Sequence, residues 1–187
     1  CKNTDKLAIF TNTGQMHLVK VLDLPQGKFR DKGQPLDNVS NFDSGSEREI
    51  YIEALGNLKE KKLIFGTKTG MLKVVAGSEF IVGKRTTAAT KLAEGDELLT
   101  VAPLEEEETL VMQTAGNVFL RIDAATIPEK KKGAVGVRGI RLQKKDELEN
   151  VYLFEEGTET KVSYGEKEVT LNRLKAAKRD GVGIKSR

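Results

Sequence analysis

The residues in this chain best suited to chemistry are cations, and they recur. Lys28, Arg30 and Lys32 form one short basic segment, and Lys84 and Arg85 a second. Lys130, Lys131 and Lys132 form a third, and Lys178 and Arg179 a fourth. Each follows a marker glycine at a similar distance: sixteen residues from Gly14 to Arg30, fourteen from Gly70 to Lys84 and from Gly116 to Lys130, and thirteen from Gly165 to Lys178. Cations repeated at a fixed interval can neutralise a line of phosphates, and the affinity then comes from released counterions. The chain holds 31 Lys+Arg against 28 Asp+Glu, a net charge of only +3. Such a role therefore rests on how the charges are arranged, not on their sum.

Other chemistries find no constellation. His17 is the only histidine and Cys1 the only cysteine, so neither a Ser-His or Cys-His pair nor a His/Cys metal cluster can be assembled. The flanks of His17, Met16 and Leu18, predict a half-exposed strand residue. The carboxylate pairs Asp96-Glu97 and Asp146-Glu147 read as turn residues facing solvent, and Glu105 to Glu108 as a solvated linker. Their spacing matches no known divalent-ion loop. Gly133 to Gly139 is glycine-rich, but a nucleotide loop needs a helix after it, and Ile140-Arg141-Leu142 reads as a strand. One cysteine excludes an internal disulfide framework and suggests a reducing compartment. The start at Cys1 suggests a piece of a longer protein. The longest mostly apolar stretch, Leu98 to Leu104, is far too short to cross a bilayer. The expectation is a soluble, cytoplasmic chain with no metal, no cofactor and no membrane partner.

The elements that must carry the basic segments are themselves repeated. An apolar strand, a Thr-containing turn and a glycine recur in Leu7-Ala8-Ile9-Phe10 to Gly14, Leu63-Ile64-Phe65 to Gly70 and Leu110-Val111-Met112 to Gly116. A degenerate fourth copy runs through Val162-Ser163-Tyr164-Gly165. Each glycine is expected where a tight hairpin needs positive φ. After the basic segment come an acidic turn and a closing strand: Glu47 to Leu55, Glu94 to Ala102, Asp146 to Phe154. The marker spacing is near the period of four-stranded propeller blades. The fold expected is all-β, a propeller-like array with approximate units 5–58, 61–104, 108–156 and an incomplete 160–187. Helix is expected at most at Asp123 to Thr126 and Leu171 to Lys178. The cluster Lys59, Lys61 and Lys62 falls in a linker between units.

The third unit carries a specific resemblance. Val-Met-Gln-Thr-Ala-Gly-Asn-Val-Phe-Leu-Arg (111–121), followed by Lys-Gly-Ala-Val-Gly-Val-Arg-Gly-Ile-Arg-Leu (132–142), resembles a blade of the C-terminal domain of the bacterial type IIA topoisomerase A subunit, the gyrase A and topoisomerase IV family. Leu63 to Gly70 with Glu94 to Leu98 is similar to another blade, and Phe10 to Gly14 with Lys32-Gly33-Gln34-Pro35 to a third. The resemblance implies a β-pinwheel, a disc whose blades exchange strands and whose outer edge bends double-stranded DNA without reading its sequence. It places the DNA contacts on Lys28, Arg30, Lys32, Lys84, Arg85, Lys130, Lys131, Lys132, Lys178 and Arg179, and adds Arg138 and Arg141. It implies an ATP-dependent parent that uses ATP and Mg²⁺ elsewhere, and whose protein partners are the A-subunit core and the B subunit. The location implied is the bacterial cytoplasm, at the nucleoid. This chain itself would catalyse nothing: the family's cleaving Tyr follows an Arg, whereas the tyrosines here follow Ile50, Val151 and Ser163. The heptapeptide Gln-Arg-Arg-Gly-Gly-Lys-Gly that marks gyrase is absent, and the nearest stretch, Gly27 to Gly33, lacks its Arg pair. Gyrase and topoisomerase IV therefore both stay open. The alternative to a DNA-wrapping domain is a propeller-type scaffold that binds another protein.

Overall fold

The computed structural model describes residues 2, 4–105, 108–164 and 167–185. Cys1, the marker Gly165, and Glu106 and Glu107 of the acidic run lie outside the described residues. In the first unit β1 (Lys6–Thr11) and β2 (Gln15–Lys20) make a hairpin, and β3 (Glu49–Ala54) closes on β1. A single helical turn, α1 (Leu55–Leu58), leads to the second hairpin, β4 (Lys62–Thr67) and β5 (Met71–Ala76). The short β6 (Thr86–Ala88) and the closing β7 (Leu98–Leu104) follow. The third unit repeats this order with β8 (Glu108–Thr114), β9 (Val118–Asp123), the two-residue β10 (Val137–Arg138) and β11 (Leu148–Glu155). Next come the hairpin β12 (Lys161–Tyr164) and β13 (Lys167–Thr170), then β14 (Ile184–Lys185).

The sheets do not respect the sequence repeats. The four-stranded antiparallel sheets run β3-β1-β2-β6, β7-β4-β5-β10 and β11-β8-β9-β14, beside the pair β12-β13. The second, third and fourth units thus each lend a short strand to the sheet before it, the exchange that defines a pinwheel. In the first unit the corresponding stretch, residues 24–35, forms no strand. Among the described residues no earlier sheet is present to receive it.

Packing explains why the hairpin strands read as unbroken apolar runs instead of alternating ones. Each inner sheet is covered on both faces, so successive side chains enter different cores. Leu63 and Phe65 of β4 pack with Phe10, Leu58 and Phe80 between the first two sheets. Ile64, between them in sequence, packs with Leu72, Met112 and Leu120 between the second and third. Val111 and Phe119 turn to a smaller core with Phe154, Val169 and Leu171 under the fourth hairpin. An aromatic cluster centres the first core, with Phe80 edge-on to Phe10 at 5.1 Å and stacked on Phe65 at 5.7 Å.

Each closing strand carries a bulge at the matching place, where register shifts opposite Phe10/Thr11 and Gly66/Thr67 and between Leu148 and Asn150. The extra residue resets the pleat so that Leu98 and Val101 both reach the first core.

Several local expectations are corrected. Gly14 and Gly70 hold φ of 76° and 80°, but in the third hairpin the left-handed position is taken by Asn117 at φ 58°, not by Gly116. Asn tolerates that region because its short amide bonds locally. Ile140-Arg141-Leu142 is not a strand: β10 lies just before it, and buried Ile140 makes an isolated bridge to Gly181. The two candidate helices are single 3-10 turns, Ala124–Thr126 and Leu171–Arg173. Among the described residues no helix is long and apolar enough to cross a membrane.

Candidate nucleic-acid interface

The path of each unit fixes where its basic segment goes. After the hairpin a 3-10 turn reverses the chain, and the segment then runs against the second hairpin strand of the preceding sheet. Leu18 N–H donates to Arg85 O at 2.7 Å, Lys130 N–H to Val74 O at 2.8 Å, and Ala177 N–H to Arg121 O at 2.9 Å. Leu18, Val74 and Arg121 lie on β2, β5 and β9. The second, third and fourth basic segments therefore lie along the same edge of three consecutive sheets. The first does not. Lys28, Arg30 and Lys32 are exposed on the unpaired stretch, beside a fully exposed Phe29 (104 %).

Along that edge Lys84, Arg85, Lys131 and Lys178 are exposed, and Lys130, Lys132 and Arg179 are partly covered. Acids share this edge with the cations. Lys131 pairs with Glu79 at 3.3 Å while remaining 88 % exposed. Asp180 accepts two bonds from Arg138, at 2.5 and 3.0 Å, and lies 3.6 Å from Arg141. The Arg138 bond holds the Asp180 carboxyl below its ordinary range, and Asp180 in turn raises the arginine. Arg179 Nη1 donates to Arg138 O at 2.9 Å, so the fourth segment also braces β10 of the third unit.

Beneath the edge lies a layer of buried polar groups that the sequence reading missed. Lys73 on β5 is 2 % exposed, and its Nζ donates to Lys132 O and Ala134 O at 2.7 Å each and to Lys131 O at 3.4 Å. Burial pushes it down to about 8, Glu79 pulls it back up, and Lys130 pushes it down again. Glu79 binds the same loop from the other side, accepting Lys132 N–H at 2.8 Å. Arg121 plays the matching part for the last unit, with Nη1 on Asn172 O at 2.7 Å and Leu174 O at 3.1 Å. In the first unit His17 does so, with Nδ1 3.0 Å from Thr86 Oγ1 and Nε2 2.8 Å from Glu47. At 3 % exposure His17 is buried, not half-exposed.

Lys185 was missed as well. It pairs with Val118 as Arg138 pairs with Met71, so the two cations are equivalent. The signal was present, in Val135-Gly136-Val137-Arg138 against Val182-Gly183-Ile184-Lys185.

The acidic turn residues are not free. Asp96 accepts Thr69 N–H and Oγ1–H at 3.1 and 2.7 Å, and Asp146 accepts Gly116 N–H at 2.9 Å. Glu47 accepts Thr11 and Thr13 hydroxyls at 3.0 and 2.7 Å. Burial pushes Glu47 up, but the bonds from Thr13 and Thr11 outweigh it and hold the carboxyl below its ordinary range. These carboxylates clamp the hairpin tips. Among the described residues no group of three His, Cys, Asp or Glu side chains could hold a metal ion. Tyr51 is pushed up to about 12 by burial and by its bond to Glu53, and Tyr152 is raised by burial and by Glu149. Phenolate nucleophiles are disfavoured at both. Of the three lysines expected in a linker, Lys62 instead opens β4; Lys61 is held by Glu53 at 2.7 Å and Lys62 by Glu129 at 3.0 Å.

Comparison with known proteins identifies relatives of this fold. The family model described as the DNA gyrase C-terminal domain, β-propeller, matches residues 61–105 and 108–155. The DNA gyrase A subunit of Lawsonia intracellularis is 28 % identical over 194 residues, covering 97 % of this chain and 23 % of that protein. The DNA gyrase A subunit of Chlamydia muridarum is 31 % identical over 150 residues, covering 77 % of this chain and 18 % of that protein. The chain thus spans about a fifth of the length of the curated relatives it matches. In fold it is similar to a solved C-terminal domain of DNA topoisomerase IV, with a TM-score of 0.89 at 22 % identity over 97 % of this chain and 58 % of that one. The solved DNA gyrase A C-terminal domain gives a TM-score of 0.72 at 18 % identity over 98 % of this chain and 60 % of that one.

Proposed function

This chain belongs to the DNA gyrase C-terminal β-propeller family, and from that premise we propose that it binds and bends double-stranded DNA along its basic edge. The observation that supports this reading is the shared position of the second, third and fourth basic segments against β2, β5 and β9. Packed sheets stand about 10 Å apart. Cations repeating once per sheet would therefore meet a duplex about every three base pairs, given its rise of about 3.4 Å. A line of contacts on a fanning array follows a curved path, and continuous phosphate contact offsets the elastic cost of curvature. Phosphate contacts carry no sequence information, so binding is nearly blind to sequence.

The contacts assigned are Lys84, Arg85, Lys130, Lys131, Lys132, Lys178 and Arg179, with Arg138 and Arg141 beside them. Lys28, Arg30 and Lys32 join the line when residues 24–35 are seated on a neighbouring sheet. The domain is accessory and performs no cleavage, religation or ATP hydrolysis itself. Its parent is an ATP-dependent type II topoisomerase of the bacterial cytoplasm, with ATP and Mg²⁺ used by the A-subunit core and the B subunit. Gel shifts on linear DNA across a salt series test the binding. Plasmid topology measured with a relaxing topoisomerase present tests the bending. The expected results are affinity that falls steeply with salt and bending without a stably constrained supercoil. DNA binding that is absent, or indifferent to salt, would leave the protein-scaffold reading.

A further inference from the structure

We propose that Lys73 is a positioning residue for DNA binding, a buried post that sets the backbone of the third basic loop from beneath. The proposal rests on the DNA-binding reading above. An ammonium has three donors, and three carbonyls of one short loop converge on this one, those of Lys131, Lys132 and Ala134. A lysine taken out of water is tolerated only when its charge and all its donors are satisfied, so loop and post hold each other in one geometry. Glu79 closes the clamp from the other side through Lys132 N–H and the Lys131 ammonium. The side chains of the basic run are thereby aimed outward on a backbone fixed by residues of another unit. His17 meets the Thr86 hydroxyl beside the second segment, and Arg121 bonds the Asn172 and Leu174 carbonyls ahead of the fourth. Among these three anchors, Lys73 is the one with targets inside a basic run, the Lys131 and Lys132 carbonyls.

The chemistry makes this testable without relying on a destabilising substitution. The charged groups around Lys73 are Glu79, Lys130 and the loop lysines 131 and 132, with Lys91 and Asp96 lining the small cavity beside it. Burial holds the amine near 8, so it loses its proton just above neutral pH. The neutral amine has two donors for three carbonyls and no charge beneath the phosphates. DNA favours the ammonium, so affinity falls as pH rises through this value. Stability moves the other way. Because the folded value is depressed, the unfolded chain binds more protons between about pH 8 and pH 10.5, and the fold gains stability across that window as pH rises. A role confined to structure would not weaken binding while the protein becomes more stable.

The experiment measures DNA affinity at fixed salt from about pH 7 to about pH 9 for the wild type, Lys73→Arg and Lys73→Met. Melting temperatures and amide exchange over residues 131–136 accompany each. The wild type is expected to weaken about three- to ten-fold across the range, and Lys73→Arg to bind like the wild type at neutral pH with no step. Lys73→Met is expected to bind about ten-fold more weakly at neutral pH, with faster exchange in the loop. If Lys73→Met fails to fold, the contrast in pH profile between the wild type and Lys73→Arg decides alone. A flat wild-type profile, or full affinity in a folded Lys73→Met, overturns the proposal and leaves the DNA reading standing. A wild type that does not bind DNA removes both.

Discussion

Asp180 sits between two of the proposed DNA contacts and, on that proposal, would compete with phosphate for both. Its carboxylate takes a two-point bond from Arg138 and neighbours Arg141, all at the surface. Surface pairs contribute little to stability, but a paired arginine must be released before it can serve a phosphate. Asp180→Asn should therefore leave the melting temperature of the fold essentially unchanged while tightening DNA binding several-fold at low salt, as gel shifts would record. The site suits the change, because Asp180 has φ 64° and Asn accepts that region. Unchanged or weaker binding by a folded variant would mean that Arg138 and Arg141 lie off the DNA path. Glu53 gives a residue-scale test of stability instead. Lys61 first, then Asn57, the Ala54 N–H and Tyr51, hold its carboxyl at about 2 against the burial that raises it. A depressed carboxylate stabilises the fold above its unfolded value and loses that contribution as pH falls through the folded one. Glu53→Gln should cost about 1–2 kcal/mol near neutral pH, discounted for the partial exposure of Lys61. Urea titrations should show the gap closing as pH approaches about 2; a gap that persists there would rule out the ion pair as its source.

At the scale of elements, the hairpins are the part that composition and pattern made legible. Apolar runs bounded by Thr and Gly marked β1-β2, β4-β5 and β8-β9, and the acidic turns marked the closing strands. The failures have physical reasons. Gly116 looked like the turn residue because glycine is the usual one, yet Asn117 holds the left-handed position and Gly116 bonds Asp146 through its N–H. β6, β10 and β14 span three, two and two residues, too few for any period to show. Their pairing is decided by the neighbouring sheet, so the strand exchange came only through family resemblance. The anchors Lys73, buried, and Arg121, partly covered, were hidden because such a cation on a strand looks, in sequence, like any solvent-facing lysine or arginine. The turn assignment can be checked directly. Gly70→Ala should lose about 1–2 kcal/mol, since its Cβ adds a 2.9 Å contact with Ile140 to an unfavourable φ of 80°. Asn117→Gly should change stability by no more than about 0.5 kcal/mol. Urea denaturation of both would separate the positions, and equal losses would contradict the assignment.

Over the whole molecule, stability is distributed core by core, because each core lies between consecutive sheets and unites two units. The last core is the smallest, and the β12-β13 hairpin above it has two strands where the other sheets have four. Two-stranded sheets are marginal without further cover. Amide exchange should accordingly be fastest in β12 and β13 and slowest in β4, β5 and β8, whose faces are covered on both sides. Uniform protection would show that the units unfold as one. The same repetition bears on the proposed function: three sheets present their cations along one edge, so on that proposal no single segment would carry the binding. The most direct measurement is therefore the salt dependence of DNA affinity as the segments are neutralised one at a time: Lys84 and Arg85, then Lys130, Lys131 and Lys132, then Lys178 and Arg179, each to Gln. Lys61 and Lys62 are engaged by acids. The comparison variant is instead Arg48→Gln with Lys59→Gln, two exposed cations flanking β3 and α1 on the opposite edge of the first sheet. The account predicts that each segment lowers the log–log slope by about 0.9 for every phosphate it no longer neutralises, alike for every DNA sequence, while the comparison variant leaves it unchanged. A comparison variant as damaged as any segment, or an affinity carried by one segment alone, would contradict it.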